Sequence, residues 1–341
     1  MRILLTGCEG YLGSLLGPEL VREGYDVTGV DTGFYREGTL YRAGGIIPKT
    51  LSKDIRQIGA EDLQDVQAVV HLAELSNDPL GQLAPRITNE INHEGSVRLA
   101  QVARAAGVQR FVYTSSCSVY GVSDRDFVDE ESPVSPQTAY AVCKTLVERD
   151  VKSLADEHFS PTFLRNATAY GASPRMRFDI VVNNLAGLAW TTKEIKMTSD
   201  GTPWRPLVHA LDIARAILAV LAAPREAVHN QVFNVGDTNH NYRVREIAEV
   251  VSEAFPGCRV SFGAPSPDNR SYRVSFEKIR KHLPSFKCVW DARRGAQQLY
   301  ELFKRIDMKP EIFHHRAFTR LKEIEYLIQT QQIDDHLFWK E

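Results

Sequence analysis

Short apolar runs and amphipathic stretches alternate along the first half of the chain. Apolar runs typical of buried parallel strands occur at residues 2–6, 25–30, 67–72, 111–115 and 162–165. Helical patterns lie between them at residues 11–23, 89–106 and 136–158, and a further strand is predicted to end within residues 53–56. Strands that alternate with helices form parallel sheets covered on both faces. The pattern therefore predicts an α/β fold, a Rossmann-type doubly wound parallel sheet.

The regular alternation breaks near residue 171. The segments after it are a mixed stretch at 173–205, a helix at 208–223, a sheet-edge strand at 231–235, a helix at 242–255 and a short strand at 259–262. We predict a first domain over residues 1–172, to which segments of about 205–240 return. A smaller mixed α/β C-terminal lobe over 173–204 and 241–341 is expected to bind substrate. It includes a helical extension from about residue 295.

Glycines punctuate the junction between the first strand and the first helix. Gly7, Gly10 and Gly13 have the spacing G-x-x-G-x-x-G, with Tyr11 and Leu12 between the last two. Such a turn needs backbone without Cβ atoms so that a pyrophosphate can approach the amides closely. The helix that follows directs its N-terminal N–H groups and dipole at the same phosphate. We predict that these five residues bind a dinucleotide.

An acidic residue ends the second strand. Asp31 lies 24 residues after Gly7, where a carboxylate can accept hydrogen bonds from both adenosine ribose hydroxyls and repel a 2′-phosphate. Arg36 and Arg42 follow it and offer charges that could hold a 2′-phosphate, so NADP remains the alternative. The interpretation we adopt is an NAD-binding first domain.

Overall charge and cysteine content exclude several classes of protein. The 341 residues carry a net charge of −2 from 41 basic and 43 acidic side chains, which provides no field for nucleic acid or an anionic membrane. Five scattered cysteines lack the spacing of a metal site and are expected to be reduced thiols in a cytoplasmic protein. No apolar run is long enough to span a membrane, and the first residues already belong to a predicted strand rather than a signal peptide.

A candidate catalytic group combines a serine-rich strand end with a helical tyrosine and lysine. Ser116 follows the strand at 111–115, while Tyr140 and Lys144 are four residues apart and share one helix face. A cation there favours the ionised phenol, which can take a proton from a carbinol while hydride leaves for the cofactor. Alone, the Tyr–Lys pair would be a solvated helix pair, but the glycine loop and the serine-rich strand end favour catalysis.

These motifs resemble the extended short-chain dehydrogenase/reductases, specifically the NAD-dependent epimerase/dehydratase family that acts on nucleotide sugars. The matching pieces are TGCEGYLG at 6–13, Asp31, KDIR at 53–56, HLA at 71–73, IN at 91–92, SSCSVYG at 115–121, YAVCK at 140–144, LRNATAYG at 164–171, NNL at 183–185, RPLVHALD at 205–212 and FNVG at 233–236. They follow the family's order over about 240 residues.

The resemblance implies roles for individual residues. Tyr140 would be the acid/base, Lys144 would orient the nicotinamide ribose, and Ser116 would bind the reacting oxygen. Further predicted cofactor residues are Asp54 and Ile55 beside the adenine, Leu72, Ala73 and Asn92. The nucleotide diphosphate would meet Asn184, Arg205 and Arg270, although Arg270 could equally be a surface residue. A homodimer through the helices at 89–106 and 136–158 is also implied.

Departures from the family pattern narrow the reaction. Dehydratases of the family carry Asp-Glu after the reacting hydroxyl residue, whereas this chain has Cys117 and Ser118, so dehydration is not expected. Cys117 is interpreted as a small buried filler, with acid/base work as the alternative. Glu74 stands where a small residue is usual. It is either a second base in the cleft or, as base rates favour, a residue solvated at the loop edge.

Epimerisation of a nucleotide-diphosphate sugar through a transient 4-keto intermediate fits these observations best. Net reduction or oxidation of a related sugar with an exchangeable cofactor is the alternative that uses the same residues. A non-catalytic NAD sensor is disfavoured, because a sensor has no need of a tuned phenol beside a lysine.

Overall fold

The computed structural model describes residues 1–42, 44–76, 79, 81, 84–265 and 271–340. The strands in this part of the chain are β1 (Arg2–Thr6), β2 (Asp26–Asp31), β3 (Lys49–Ser52), β4 (Ala68–His71), β5 (Arg110–Ser116), β6 (Ser160–Asn166), β7 (Thr168–Tyr170), β8 (Glu194–Lys196), β9 (Trp204–His209), β10 (Gln231–Val235), β11 (Asn241–Arg243) and β12 (Arg259–Ser261). The α-helices are α1 (Gly13–Arg22), α2 (Pro85–Thr88), α3 (Ser96–Ala105), α4 (Ala139–Lys152), α5 (Val181–Thr192), α6 (Ala210–Ala222), α7 (Arg225–Val228), α8 (Val244–Ala254), α9 (Glu277–His282), α10 (Ala292–Arg305), α11 (Pro310–His314) and α12 (Arg320–Gln329). A π-helical segment, Asn89–Gly95, joins α2 to α3.

Seven strands form one parallel sheet in the order β10-β6-β5-β4-β1-β2-β3. Its central strands are apolar because helices cover both faces. The strand order reverses direction at β1, which opens a crevice at the carboxyl ends of the neighbouring strands. The predicted Rossmann-type sheet is confirmed, and β10 is the edge strand that the sequence predicts.

A smaller lobe packs beside the large sheet. It contains a three-stranded sheet, β11-β9-β7, and a two-stranded sheet, β12-β8. Helices α5, α8 and α10 share its apolar core through Ala186, Ile247 and Leu299. The C-terminal residues Ile324 and Leu327 instead pack in the core on one face of the large sheet. The division into a cofactor domain and a substrate lobe stays a prediction.

Local predictions were wrong where long-range pairing decides the structure. The predicted helix at 208–223 begins only at Ala210, because Val208 and His209 belong to β9, which pairs with β7 and β11. The predicted helix at 242–255 likewise loses its first residues to β11. Strand β3 ends at Ser52, so residues 53–56 lie beyond it, where the Asp54 carboxylate accepts a hydrogen bond from the Arg56 N–H and begins a 3₁₀ turn. Within the described ranges, no helix has both the length and the apolar character needed to cross a bilayer.

Candidate active site

A cavity of about 330 Å³ opens at the carboxyl ends of the central strands. It is lined by residues from the glycine loop, from the ends of β2, β4, β5 and β6, and from the start of α4. The predicted site residues on its wall are Gly7, Gly10, Tyr11, Leu12, Gly13, Asp31, Asp54, Ile55, Leu72, Ala73, Glu74, Ser116, Ser118, Tyr140 and Lys144. The fold therefore gathers segments more than a hundred residues apart into one crevice.

The glycine loop forms a cradle that side chains would fill. Gly7 has a φ of +71°, which glycine adopts without strain. A Cβ on Gly13 would lie 2.1 Å from the Gly7 carbonyl oxygen and 2.6 Å from the Cys8 Cα. Helix α1 begins at Gly13, which lines the cavity, and no side chain caps its N-terminus. These features fit the pyrophosphate of a dinucleotide.

Asp31 is held in place by two backbone groups. Its carboxylate accepts hydrogen bonds from the N–H of Glu9 at 3.0 Å and the N–H of Gly33 at 2.8 Å. Arg36, which the sequence offers as an alternative 2′-phosphate ligand, instead pairs with the Glu9 carboxylate at 2.7 Å. That this carboxylate at the end of β2 binds ribose hydroxyls stays a prediction.

Tyr11 lines the cavity near the loop but directs its hydroxyl away from it. The hydroxyl donates a 2.7 Å hydrogen bond to the Gly171 carbonyl, and the side chain is buried. The contact joins the glycine loop to the end of β7. Tyr11 therefore links the large sheet to the smaller lobe.

The candidate catalytic residues meet on one wall of the cavity. Ser116 ends β5, and Tyr140 and Lys144 occupy successive turns of α4, which begins after Thr138 caps it by accepting from the Ala141 N–H. The Lys144 Nζ lies 5.3 Å from the centre of the Tyr140 ring. The Ser116 Oγ accepts a 3.1 Å bond from the Ser118 N–H, which orients the serine hydroxyl at the strand end.

Glu74 is the largest difference from the sequence-based interpretation. Its side chain is only 3% exposed and forms an ion pair with Lys144, so the interpretation as a solvated loop residue was wrong. The Tyr113 hydroxyl donates to the Glu74 carboxylate at 2.6 Å, and Lys144 also donates to the Thr114 carbonyl. Burial opposes the charge of Lys144, but the Glu74 carboxylate outweighs it and raises the pKa of the ammonium.

Four predicted residues lie outside the cavity wall. The Asn92 side chain bonds both the N–H and the C=O of Leu75 and so fixes the loop after β4. Cys117 is buried, its thiol donates to the Arg165 carbonyl, and burial raises its pKa well above the usual value, which fits the buried-filler interpretation. Asn184 donates to the Phe178 carbonyl, and Arg205 to the Trp204 carbonyl. Arg270 falls outside the described residues.

Further polar groups line the cavity, and of these only Ser118 was a predicted site residue. The Ser118 Oγ and Asn166 Oδ1 are buried without a hydrogen-bond partner in the described residues, which indicates space for a polar ligand. Arg177 and Arg320 also line the cavity. Arg320 comes from the C-terminal helical extension, and nothing in its local sequence indicates that it reaches the glycine loop's cavity.

Comparisons with known proteins agree with this geometry. Residues 3–236 match the model of the NAD dependent epimerase/dehydratase family. A UDP-glucose 4-epimerase of Corynebacterium glutamicum is 30% identical over 310 residues, which cover 83% of this chain and 90% of that protein. The solved structure of TunA, an NAD-dependent NDP-hexosamine 5,6-dehydratase involved in tunicamycin biosynthesis, has a TM-score of 0.79 at 25% identity and covers 90% of this chain and 99% of its own. MoeE5 in complex with UDP-glucuronic acid and NAD has a TM-score of 0.76 at 26% identity, covering 89% and 99%.

Proposed function

Because the chain belongs to the NAD-dependent epimerase/dehydratase family, we propose that it epimerises a nucleotide-diphosphate sugar through a transient 4-keto intermediate. One observation carries the proposal: Ser116, Tyr140 and Lys144 share one wall of the cavity that also holds the glycine cradle. NAD, when bound, supplies the hydride acceptor and donor. The protein supplies the proton transfers and the orientation of the sugar.

Each residue has a role that its contacts support. Tyr140 takes the proton of the C4 hydroxyl and later returns it, because its phenol lies beside the Lys144 ammonium. The Ser116 hydroxyl hydrogen-bonds the same sugar oxygen. Its Oγ accepts a hydrogen bond from the Ser118 N–H, and this contact leaves the serine O–H to donate to the sugar. Lys144 is held by Glu74 and by the Thr114 carbonyl, so its charge has a defined position.

The surroundings of Ser116 favour epimerisation over dehydration. The next residue, Cys117, is buried against the Arg165 carbonyl and has a strongly raised pKa, so it is a poor acid or base for removing water. Ser118 stands where the Glu of the Asp-Glu pair of the dehydratases would be, so the second carboxylic acid is missing as well. Both an epimerase and a dehydratase are among the similar proteins, and these two positions are the reason for choosing the epimerase.

A panel of UDP-, GDP-, CDP- and dTDP-sugars tests the proposal with purified full-length protein. We expect interconversion of one sugar pair, seen by mass spectrometry coupled to chromatography, without net change of absorbance at 340 nm. Tyr140→Phe should lower turnover about 10²- to 10⁴-fold while bound NAD is retained. Tyr300→Phe in α10 is the matched control. Stoichiometric NADH formation would instead identify a net oxidation, and full activity in Tyr140→Phe would exclude the mechanism.

A further inference from the structure

Two arginines line the cofactor cavity in addition to the residues of the glycine loop. Arg177 precedes α5 and is 8% exposed, and Arg320 is the first residue of α12 and is 3% exposed. Arg320 lies in the C-terminal extension, 307 residues after Gly13, the nearest of the predicted phosphate-binding glycines in the sequence. Both residues line the same cavity.

The two arginines differ in how the protein compensates their charges. Arg177 makes a two-pronged ion pair with Asp179, at 2.8 and 3.2 Å, and donates to the Ser76 hydroxyl at 3.1 Å. The Arg320 guanidinium forms no ion pair and donates no hydrogen bond to any described residue. Its carbon atom lies 3.9 Å from the centre of the Tyr35 ring, and only its backbone N–H reaches Asp179, at 3.1 Å.

An uncompensated buried cation is unfavourable unless an anion joins it. Burial, reinforced by the Arg177 charge, lowers the pKa of Arg320 to about 10, which still leaves a full positive charge at neutral pH. Its flat face is occupied by Tyr35, so the N–H edge is the part left to bind a ligand. A guanidinium edge binds the oxygens of phosphate in a bidentate manner.

We propose that Arg320 binds the pyrophosphate of NAD, so that the C-terminal helix completes the cofactor site. The segment before Arg177 is tied to the glycine loop, because the Ser173 hydroxyl donates to the Tyr11 carbonyl at 2.8 Å and contacts the Ser14 hydroxyl at 3.1 Å. The two arginines line the same cavity as Gly10 and Gly13 of the phosphate cradle.

The charges around Arg320 also point to the pyrophosphate. Arg320 lies against the ring of Tyr35, which follows β2 in the chain, and the Asp31 carboxylate at the end of β2 is among the charged groups that act on it. A 2′-phosphate would have to sit beside the Asp31 carboxylate, which repels it. Of the two arginines, Arg177 is already paired with Asp179, so Arg320 is the one whose charge a pyrophosphate would compensate.

The proposal gives the C-terminal extension a role in cofactor binding. Beyond α12, the Trp339 indole N–H donates to the Thr32 carbonyl at 2.7 Å, and Arg56 donates to the His336 carbonyl at 2.9 Å. Thr32 directly follows Asp31 at the end of β2, and Arg56 lies in the 3₁₀ turn that Asp54 caps. Binding of NAD and docking of the extension should therefore stabilise each other.

Calorimetric titration of full-length protein stripped of cofactor tests the proposal. Arg320→Met should weaken binding of NAD and ADP-ribose by about 10- to 100-fold and leave adenosine binding unchanged. Arg320→Lys, which keeps the charge and loses the fork, should be intermediate. Lys322→Met, an exposed site on the same helix, is the control and should bind NAD normally.

Stability measurements separate this role from a purely structural one. Because the free Arg320 charge is uncompensated, Arg320→Met should keep or raise the Tm of the cofactor-free protein, while the rise in Tm on adding NAD shrinks. A lower Tm with unchanged NAD affinity would overturn the proposal. So would selective loss of NADP binding or of UDP binding, because these identify a 2′-phosphate or a substrate diphosphate as the anion. The experiment reports on cofactor binding alone and does not depend on the sugar reaction.

Discussion

Replacing Glu74 by Gln tests whether a buried carboxylate sets the charge around the catalytic pair. The substitution keeps the shape of the side chain and an oxygen that the Tyr113 hydroxyl can bond at about the same place. It removes the negative charge that contacts the Lys144 ammonium. Other ionisable groups that interact with Lys144 include Tyr140, Glu148 and His71.

The expected shift follows from the distance between Lys144 and Tyr140. The Lys144 Nζ lies 5.3 Å from the centre of the Tyr140 ring. At an effective dielectric constant of about 20, a unit positive charge at that distance stabilises the Tyr140 phenolate by about 3 kcal/mol. This corresponds to a fall of roughly two units in the pKa of the phenol. Glu74 offsets part of this attraction. Its removal should therefore move the acid limb of kcat/KM to lower pH by about one unit.

The same substitution should destabilise the fold, because it leaves the Lys144 ammonium buried beside the Thr114 carbonyl without its carboxylate. Breaking a buried ion pair from one side costs about 3–5 kcal/mol. Removing both charges in Glu74→Gln/Lys144→Met should recover most of that loss in urea unfolding, since no charge then remains unpaired. The double variant is expected to be inactive.

The assay is the pH profile of kcat/KM with the sugar pair found in the panel, together with urea unfolding. Glu157→Gln is the matched control, because its side chain is 84% exposed and its charge is solvated. An acid limb that stays in place in Glu74→Gln, with a stability change below about 0.5 kcal/mol, would refute the reasoning. A shift in the opposite direction would refute it as well.

Three further predictions concern the cofactor cradle and the core. Gly13→Ala should abolish retention of NAD through purification, because its Cβ would lie 2.1 Å from the Gly7 oxygen. Retained NAD is measured as the NAD released when the purified protein is denatured. Gly44→Ala is the control, because its Cβ would meet nothing within 4 Å, and it should retain NAD. Asp31→Ser should reduce the preference for NAD over NADP, measured by calorimetry as the ratio of the two affinities, by at least about tenfold. An unchanged ratio would contradict the role assigned to Asp31. Burial, together with the Lys144 charge, lowers the pKa of His71 from 6.5 to about 3. Below about pH 6.5 the unfolded chain therefore binds a proton that the folded protein does not. The free energy of unfolding should fall as the pH drops from about 6.5 towards 3. His71→Gln should flatten the pH dependence of the free energy of unfolding, measured with urea, by about 1 kcal/mol per pH unit, and an unaltered dependence would argue against a neutral buried imidazole.

Local signals sufficed for much of the fold and for the centre of the candidate site. The apolar runs predicted the strands of the large sheet, and the glycine spacing predicted the cradle at the start of α1. The four-residue spacing of Tyr140 and Lys144 was enough to place both side chains on one helix face. Each of these inferences depends on neighbours in the chain, which is why the sequence alone supports them.

The failures share a different cause. Strand β9 was predicted as part of a helix because its partners, β7 and β11, are distant in the chain. Asn92 was expected to contact the cofactor, yet its amide holds the Leu75 backbone. Whether a polar side chain faces a cavity, a backbone group or solvent depends on which segments the fold brings beside it.

Gly7, Gly10, Gly13 and Asp31 by themselves determined that this protein binds a dinucleotide, because backbone conformation and a strand-end carboxylate are local properties. Only the tertiary structure decided the charge balance of the site. It buried Glu74 against Lys144 and brought Arg320 from the C-terminal helix to the cofactor cavity. Electrostatic interactions act through space and strengthen with burial, so their strength depends on three-dimensional distances. The spacing of residues along the chain does not give those distances.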